Sequence, residues 1–194
     1  MFEALTALGL ATAAGLNAYI PLLLVGLVSR FTGALDLSSS YDWLENGWVL
    51  GGLSVLLAVE IVLDKVPVVD SVNDVIQTVI RPLSGGVTVT ATAAAADVDA
   101  SWAEDNAWLG WLVGIVGALV VHGVKSAARP GINLATLGAG APVVSTAEDA
   151  TAAAFSLSAL FAPLLVLVGL VLLGWLAFVL LRQAQRRRPS YNEP

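Results

Sequence analysis

Two sets of ionisable residues stand out by their spacing. Glu60 and Asp64 are four apart in "VEIVLDKVPVVD" (59–70), and His122, Lys125 and Arg129 fall at i, i+3 and i+7 in "VHGVKSAARPG" (121–131). On a helix each set occupies one face. Two carboxylates opposite an imidazole and two cations can coordinate an ion, relay a proton, or tie two helices together. Both sets close long apolar runs, and a charged side chain at the centre of hydrocarbon costs about 2–3 kcal/mol on insertion scales. Glu60 lies about a turn and a half inside Lys65. It is expected to face a bundle interior and find a partner on the His122–Lys125–Arg129 face, or to stay protonated.

The remaining polar residues each carry two readings. Lys65 and Lys125 suit a pathway, or serve as snorkelling anchors with Asp64 as a local partner. Asp70, Asn73, Asp74 and Gln77 fall on one helical face, opposite Val68, Val72, Val75 and Val79. That pattern predicts an amphipathic helix, interfacial or lining a cavity and ended by Pro82. Asp70 and Asp74 then either help hold a cation or form a solvated face near a helix N-terminus. Arg81 and Arg129 each precede a proline and suit an anionic headgroup, a phosphate, or simple anchoring. Asn17 either caps a broken helix or faces a pore. Glu148 and Asp149 suit caps of the next helix, with Ser145 three residues before Glu148 at capping-box spacing, which predicts a helix start there.

Other chemistries find little support. The chain has no cysteine and one histidine, so no metal site is expected beyond what carboxylates allow. No phosphate-binding loop, dinucleotide fingerprint, zinc-protease motif or nucleophile elbow occurs. No catalytic set converges and no cofactor is implied, so an enzyme acting on a lipid ranks third among the function classes.

The elements that must position these residues are apolar helices. The 194-residue chain is 57% hydrophobic and 12% charged, with a mean hydropathy of +0.83. Soluble domains average about 25% charged residues. The runs lack the alternation of a membrane barrel. They are residues 4–29, interrupted at "GLNAYIP" (15–21), then 47–66, 83–96, 107–126 and a run within 155–181. Residues 83–96, "LSGGVTVTATAAAA", are short and made of small residues, which suits a thin span or a re-entrant hairpin. Residues 131–147 are a further crossing or a re-entrant segment. Long span, lysine, proline break, small residues and acids recur in 47–100 and 107–149 as a weak internal echo, a pattern common in transporters.

Charge distribution gives a topology. Residues 31–46 and 97–106 carry acids and no base, while eight of the nine bases sit at Lys65, Arg81, Lys125, Arg129 and in "RQAQRRR" (182–188). By the positive-inside rule the base-rich segments are cytoplasmic. A basic tail directly after a span is expected to be a topology signal or a lipid-headgroup contact rather than a nucleic-acid patch. Trp43, Trp48, Trp102, Trp108 and Trp111 suit interfacial aromatic belts.

Over residues 5–165 the chain resembles a bacterial membrane-protein family catalogued as domain of unknown function 4126. The resemblance rests on "AAGLNAYIPLL", "ExxxDKVPxxD" at 60–70, "RPLSGG" at 81–86, "HGVKSAARP" at 122–130 and "SxxED" at 145–149. Family members often carry Arg where this chain has Asn17. The resemblance implies an integral membrane protein and supplies no substrate.

The expectation is an all-α, multi-span integral protein of the plasma membrane with five to six membrane helices. Residues 1–181 form one transmembrane domain and 182–194 a basic cytoplasmic tail. Its polar site lies near the cytoplasmic ends of the second and fourth spans. The expected function is a small transporter or channel for an ion or small anionic solute. The alternative is a structural, assembly or lipid-binding protein whose charges lock the bundle. Membrane lipids are the expected partners, and a homo-oligomer is required if the pathway runs between subunits.

Overall fold

A computed structural model describes residues 2–66, 69–95 and 106–186. The described residues form seven α-helices and a short 3-10 turn, with no strand. They are α1 (Phe2–Leu16), α2 (Tyr19–Thr32), α3 (Gly47–Leu63), α4 (Val69–Ala95), α5 (Ala107–Thr136), α6 (Ala141–Phe161) and α7 (Pro163–Arg186). Pro67, Val68, the acidic segment 97–105 with Trp102, and residues 187–194 lie outside the described residues, as does the Asp70 side chain.

Helix α1 is the centre of the bundle. Its small residues, Gly9 to Gly15, are buried against α4, α5, α6 and α7. Gly9 meets Ala159 and Val166, Ala11 meets Gly117, and Gly15 meets Val121. The largest interface joins α4 to α5. There Gly85 lies against Gly114, Gly86 against Trp111, and Gly110 against Thr90. With no Cβ at the crossing the two backbones touch, as the composition of 83–96 anticipates. Trp111 is thus a packing residue, whereas Trp48 and Trp108 are exposed. The threonines of α4 are buried at little cost where their hydroxyls donate to carbonyls one turn back, Thr88 to Ser84 and Thr92 to Thr88.

Two expected boundaries are absent. Pro82 lies inside α4 and Pro130 inside α5. Each proline removes the N–H that would bond the carbonyl four residues back, yet tertiary packing carries both helices on. The thin helix expected at 83–96 is therefore the second half of α4. Residues 131–147 split into the end of α5, a turn and the start of α6. The expected helix start at Ser145 is also wrong. Helix α6 begins at Ala141 with Pro142 in its first turn, and Ser145 is a buried interior residue. The echo between the two halves stops at these boundaries, because Lys65 sits in the turn after α3 and Lys125 inside α5. Helix α7 continues to Arg186, past the expected tail boundary at 181.

Polarity is distributed inside out. Arg81, Glu60, Asp64, Asn73, Asp74, Gln77, Lys125 and Arg129 are buried, while Trp48, Val62, Val75, Val124, Leu134 and Val171 are exposed. The amphipathic start of α4 obeys this rule, with its polar face inward and its valines outward. Among the described residues α5 is long and apolar enough to cross a membrane, and α1, α2, α3 and the first part of α7 are shorter apolar helices.

Candidate functional site

The break between α1 and α2 builds one wall of the site. Asn17 Oδ1 accepts from the Tyr19 and Ile20 amides at 3.0 and 3.1 Å, so it caps α2. Its Nδ2 donates to Asp149 Oδ1 at 2.9 Å. The helix end frees carbonyls of α1. Arg81 Nη1 donates to Gly15 O at 3.3 Å, and Lys125 Nζ to Leu16 O at 2.9 Å. Both cations also meet the negative end of the α1 dipole. Asn17→Ala should lower stability by about 1 kcal/mol, within the range for lost N-caps. Thermal unfolding in detergent checks this, and Asn17→Asp should also lose stability because it sets a carboxylate against Asp149.

Helix α4 supplies the central cation. Asp74, Gln77 and Arg81 follow at i, i+3 and i+7 on its inner face. Because α4 runs through Pro82, Arg81 has twelve helical residues before it and fourteen after. His122 is equally central in the 30-residue α5. Arg81 and His122 therefore sit half-way along their helices, while Glu60 and Asp64 come from the last turn and the end of α3. Arg81 is fully buried, which rules out the headgroup contact considered for it. Its Nη2 bonds Glu60 Oε1 at 2.9 Å and lies 3.6 Å from Asp64 Oδ2, and its Nη1 lies 3.8 Å from Asp74 Oδ1.

Glu60 thus pairs with Arg81 rather than with the basic face of α5, because Pro82 fails to end α4 and so leaves Arg81 inside the bundle. That basic face goes to Asp64 instead. Asp64 caps the end of α3. Its Oδ1 accepts from Asn73 Nδ2 at 2.9 Å, and its Oδ2 lies 3.2 Å from Lys125 Nζ and 3.0 Å from Arg129 Nη2. Glu148 Oε2 closes the circuit at 3.0 Å from Lys125 and 2.6 Å from Arg129. Arg129 Nε is 3.8 Å from Asp74 Oδ2, so Asp74 belongs to the network and not to a solvated face. Lys65 is half-exposed and meets Asp149 at 3.6 Å on the rim.

His122 has one tautomer in this arrangement. Arg81 Nη1 is 3.0 Å from Nδ1, and a guanidinium can only donate, so Nδ1 accepts. The ring proton is then on Nε2, 3.0 Å from Thr78 Oγ1, and Thr78 donates onward to the Asp74 carbonyl. The ring is neutral and orients Arg81. Thr78 and Ser126, the residues four before Pro82 and Pro130, line one cavity of about 210 Å³ with Asp74. A smaller cavity of about 70 Å³ lies between α3 and α4, lined by Tyr19, Glu60, Asn73 and Gln77 among apolar residues.

Of the residues singled out by spacing, Glu60, Asp64, Asp74, Arg81, His122, Lys125 and Arg129 converge. Asn17 and Lys65 meet at Asp149 on the rim. Glu148 and Asp149 entered the sequence reading only as caps. Their i, i+1 position after Ser145 hid that Arg129, Lys125, Lys65 and Asn17 claim them. Among the described residues no group of three or more His, Cys, Asp or Glu side chains is arranged to hold a metal ion.

No curated protein and no solved structure matches the chain. The family described as Domain of unknown function (DUF4126) matches residues 4–183. That match takes in every helix of the bundle and every member of the network, and the chain belongs to this family.

Proposed function

We propose that the protein is a multi-span membrane protein that moves an ion or small solute through its bundle, with the buried charge network as its coupling centre. Large exposed apolar side chains over a charged interior support the membrane reading, because such a surface needs lipid or a partner to cover it. The charge distribution favours the plasma membrane with the basic C-terminal end in the cytoplasm.

One observation carries the transport reading. Among the described residues the interior network has four carboxylates, Glu60, Asp64, Asp74 and Glu148, against three fixed cations, Arg81, Lys125 and Arg129. The rim pair Lys65–Asp149 balances itself. A buried charge left without compensation costs several kcal/mol. A mobile positive charge that enters and leaves would be bound strongly here and would change how the helices are tied. The mid-helix position of Arg81 and His122 and the adjoining break in α1–α2 suit such a centre, since interrupted helices bring backbone carbonyls to ions near the bilayer midplane. Helix α3 is the natural moving part. Of its described residues only Leu50 and Glu60 are buried, so the Glu60–Arg81 bond is one of its few ties.

The test is Glu60→Gln in proteoliposomes under imposed Na+ and H+ gradients. Flux should fall about tenfold or more, the equivalent of losing roughly 1.4 kcal/mol of coupling, while the purified variant still elutes as a folded species. Wild-type flux in that variant would remove the central residue from the pathway.

The extent of pairing favours a second reading, in which the network only locks the bundle. Under that reading neither protein conducts, and Glu60→Gln acts on unfolding temperature alone.

A further inference from the structure

Glu60 uses one oxygen on Arg81 and leaves the other without a protein partner. Glu60 Oε2 and Gln77 Oε1 are both buried acceptors with no hydrogen-bond donor, and both residues are 2% exposed. They come from different helices and line the same cavity of about 70 Å³. Tyr19 lines it too and interacts with Gln77 through its polar end. Each unsatisfied acceptor costs about 1–3 kcal/mol unless something positive or hydrogen-bearing meets it. A water molecule's share of liquid is about 30 Å³, so the cavity has room for a small cation with a water.

We infer that this cavity is a binding site for one small monovalent cation, Na+, held by Glu60 Oε2, Gln77 Oε1 and the Tyr19 hydroxyl with water completing the shell. The site rests on the transport reading above and names its ion. An all-oxygen set suits a hard cation. A single carboxylate at the cavity matches one positive charge rather than two. Arg81 already holds Glu60 Oε1, so a cation on Oε2 shares the carboxylate with the guanidinium. Occupancy of the cavity therefore bears directly on the tie between α3 and α4.

The experiment is thermal unfolding of the full-length protein in detergent, followed by tryptophan fluorescence. NaCl is titrated against choline chloride at constant pH and ionic strength, with KCl in parallel. The unfolding temperature should rise saturably with Na+, by roughly 5–10 °C at a hundredfold excess over Kd. Gln77→Leu should shift the half-saturating concentration upward by at least tenfold, and Glu60→Gln should abolish the response. If Glu60→Gln does not accumulate, Gln77→Leu decides alone, and an unchanged midpoint overturns the site. An equal response to K+ or choline overturns it as well. So does a response to pH without one to Na+, which would make a proton the occupant, or no response at all, which would leave water. Na+ binding without flux would keep the site and remove the transport reading. Flux without Na+ binding would do the reverse.

Discussion

Arg81→Met should destabilise the protein by about 3–5 kcal/mol, the usual cost of removing one partner from a buried ion pair. Arg81 is fully buried, bonds Glu60, and stands within 4 Å of Asp64 and Asp74. Its loss leaves the four interior carboxylates facing two cations and takes the donor from His122 Nδ1 and Gly15 O. Unfolding temperature should fall by roughly 10 °C or more for a chain of this size. Arg81→Lys keeps the charge but cannot reach Glu60, Gly15 and His122 together, so it should fall between wild type and Arg81→Met. The double variant Arg81→Met/Glu60→Gln should recover part of the loss, with a coupling energy of about 1–3 kcal/mol in the cycle. Additive single effects would mean that the two side chains are not paired.

Gly114→Ala should be as damaging, for a steric reason. A Cβ at Gly114 falls under 3.0 Å from the Gly85 carbonyl, and a Cβ at Gly85 meets the Gly114 carbonyl equally closely. Backbone cannot swing aside as a side chain can, so α4 and α5 must separate. The cost should reach the top of the range of about 1–3 kcal/mol for overpacking or exceed it. Gly123→Ala is the control on the same helix. Nothing lies within 4 Å of its Cβ, and it should be neutral or gain up to about 1 kcal/mol from helix propensity. Because α4 carries Arg81 and α5 carries His122, Lys125 and Arg129, Gly114→Ala should also reduce any flux that Glu60→Gln reduces. Equal unfolding temperatures for the two alanine variants would overturn the packing described for this crossing.

Local spacing and local packing were readable in the sequence. The i, i+4 and i, i+3, i+7 spacings place Glu60 with Asp64, and His122 with Lys125 and Arg129, on shared faces. The same rule put Asn73, Asp74 and Gln77 together. The small residues of 83–96 left a close helix crossing or a re-entrant hairpin, and Asn17 between Gly15 and Pro21 left a capped break or a pore-facing residue; the crossing and the cap are what the fold contains. These features depend on backbone geometry within a few residues, which residue type controls.

Partner choice was decided by tertiary structure. A proline weakens a helix locally, but packing on both sides can keep the helix going, and no local signal reports that packing. Pro82 and Pro130 were read as helix ends, and with them went the depth of Arg81 and the partner of Glu60. Once α4 continues, Arg81 lies half-way along its helix and takes Glu60, leaving Lys125 and Arg129 to Asp64 and Glu148. The pairing of charges far apart in sequence is set by which helices cross and at what height. The glycine contact between α4 and α5 fixes that height, and neither strand of the contact is legible from the other alone.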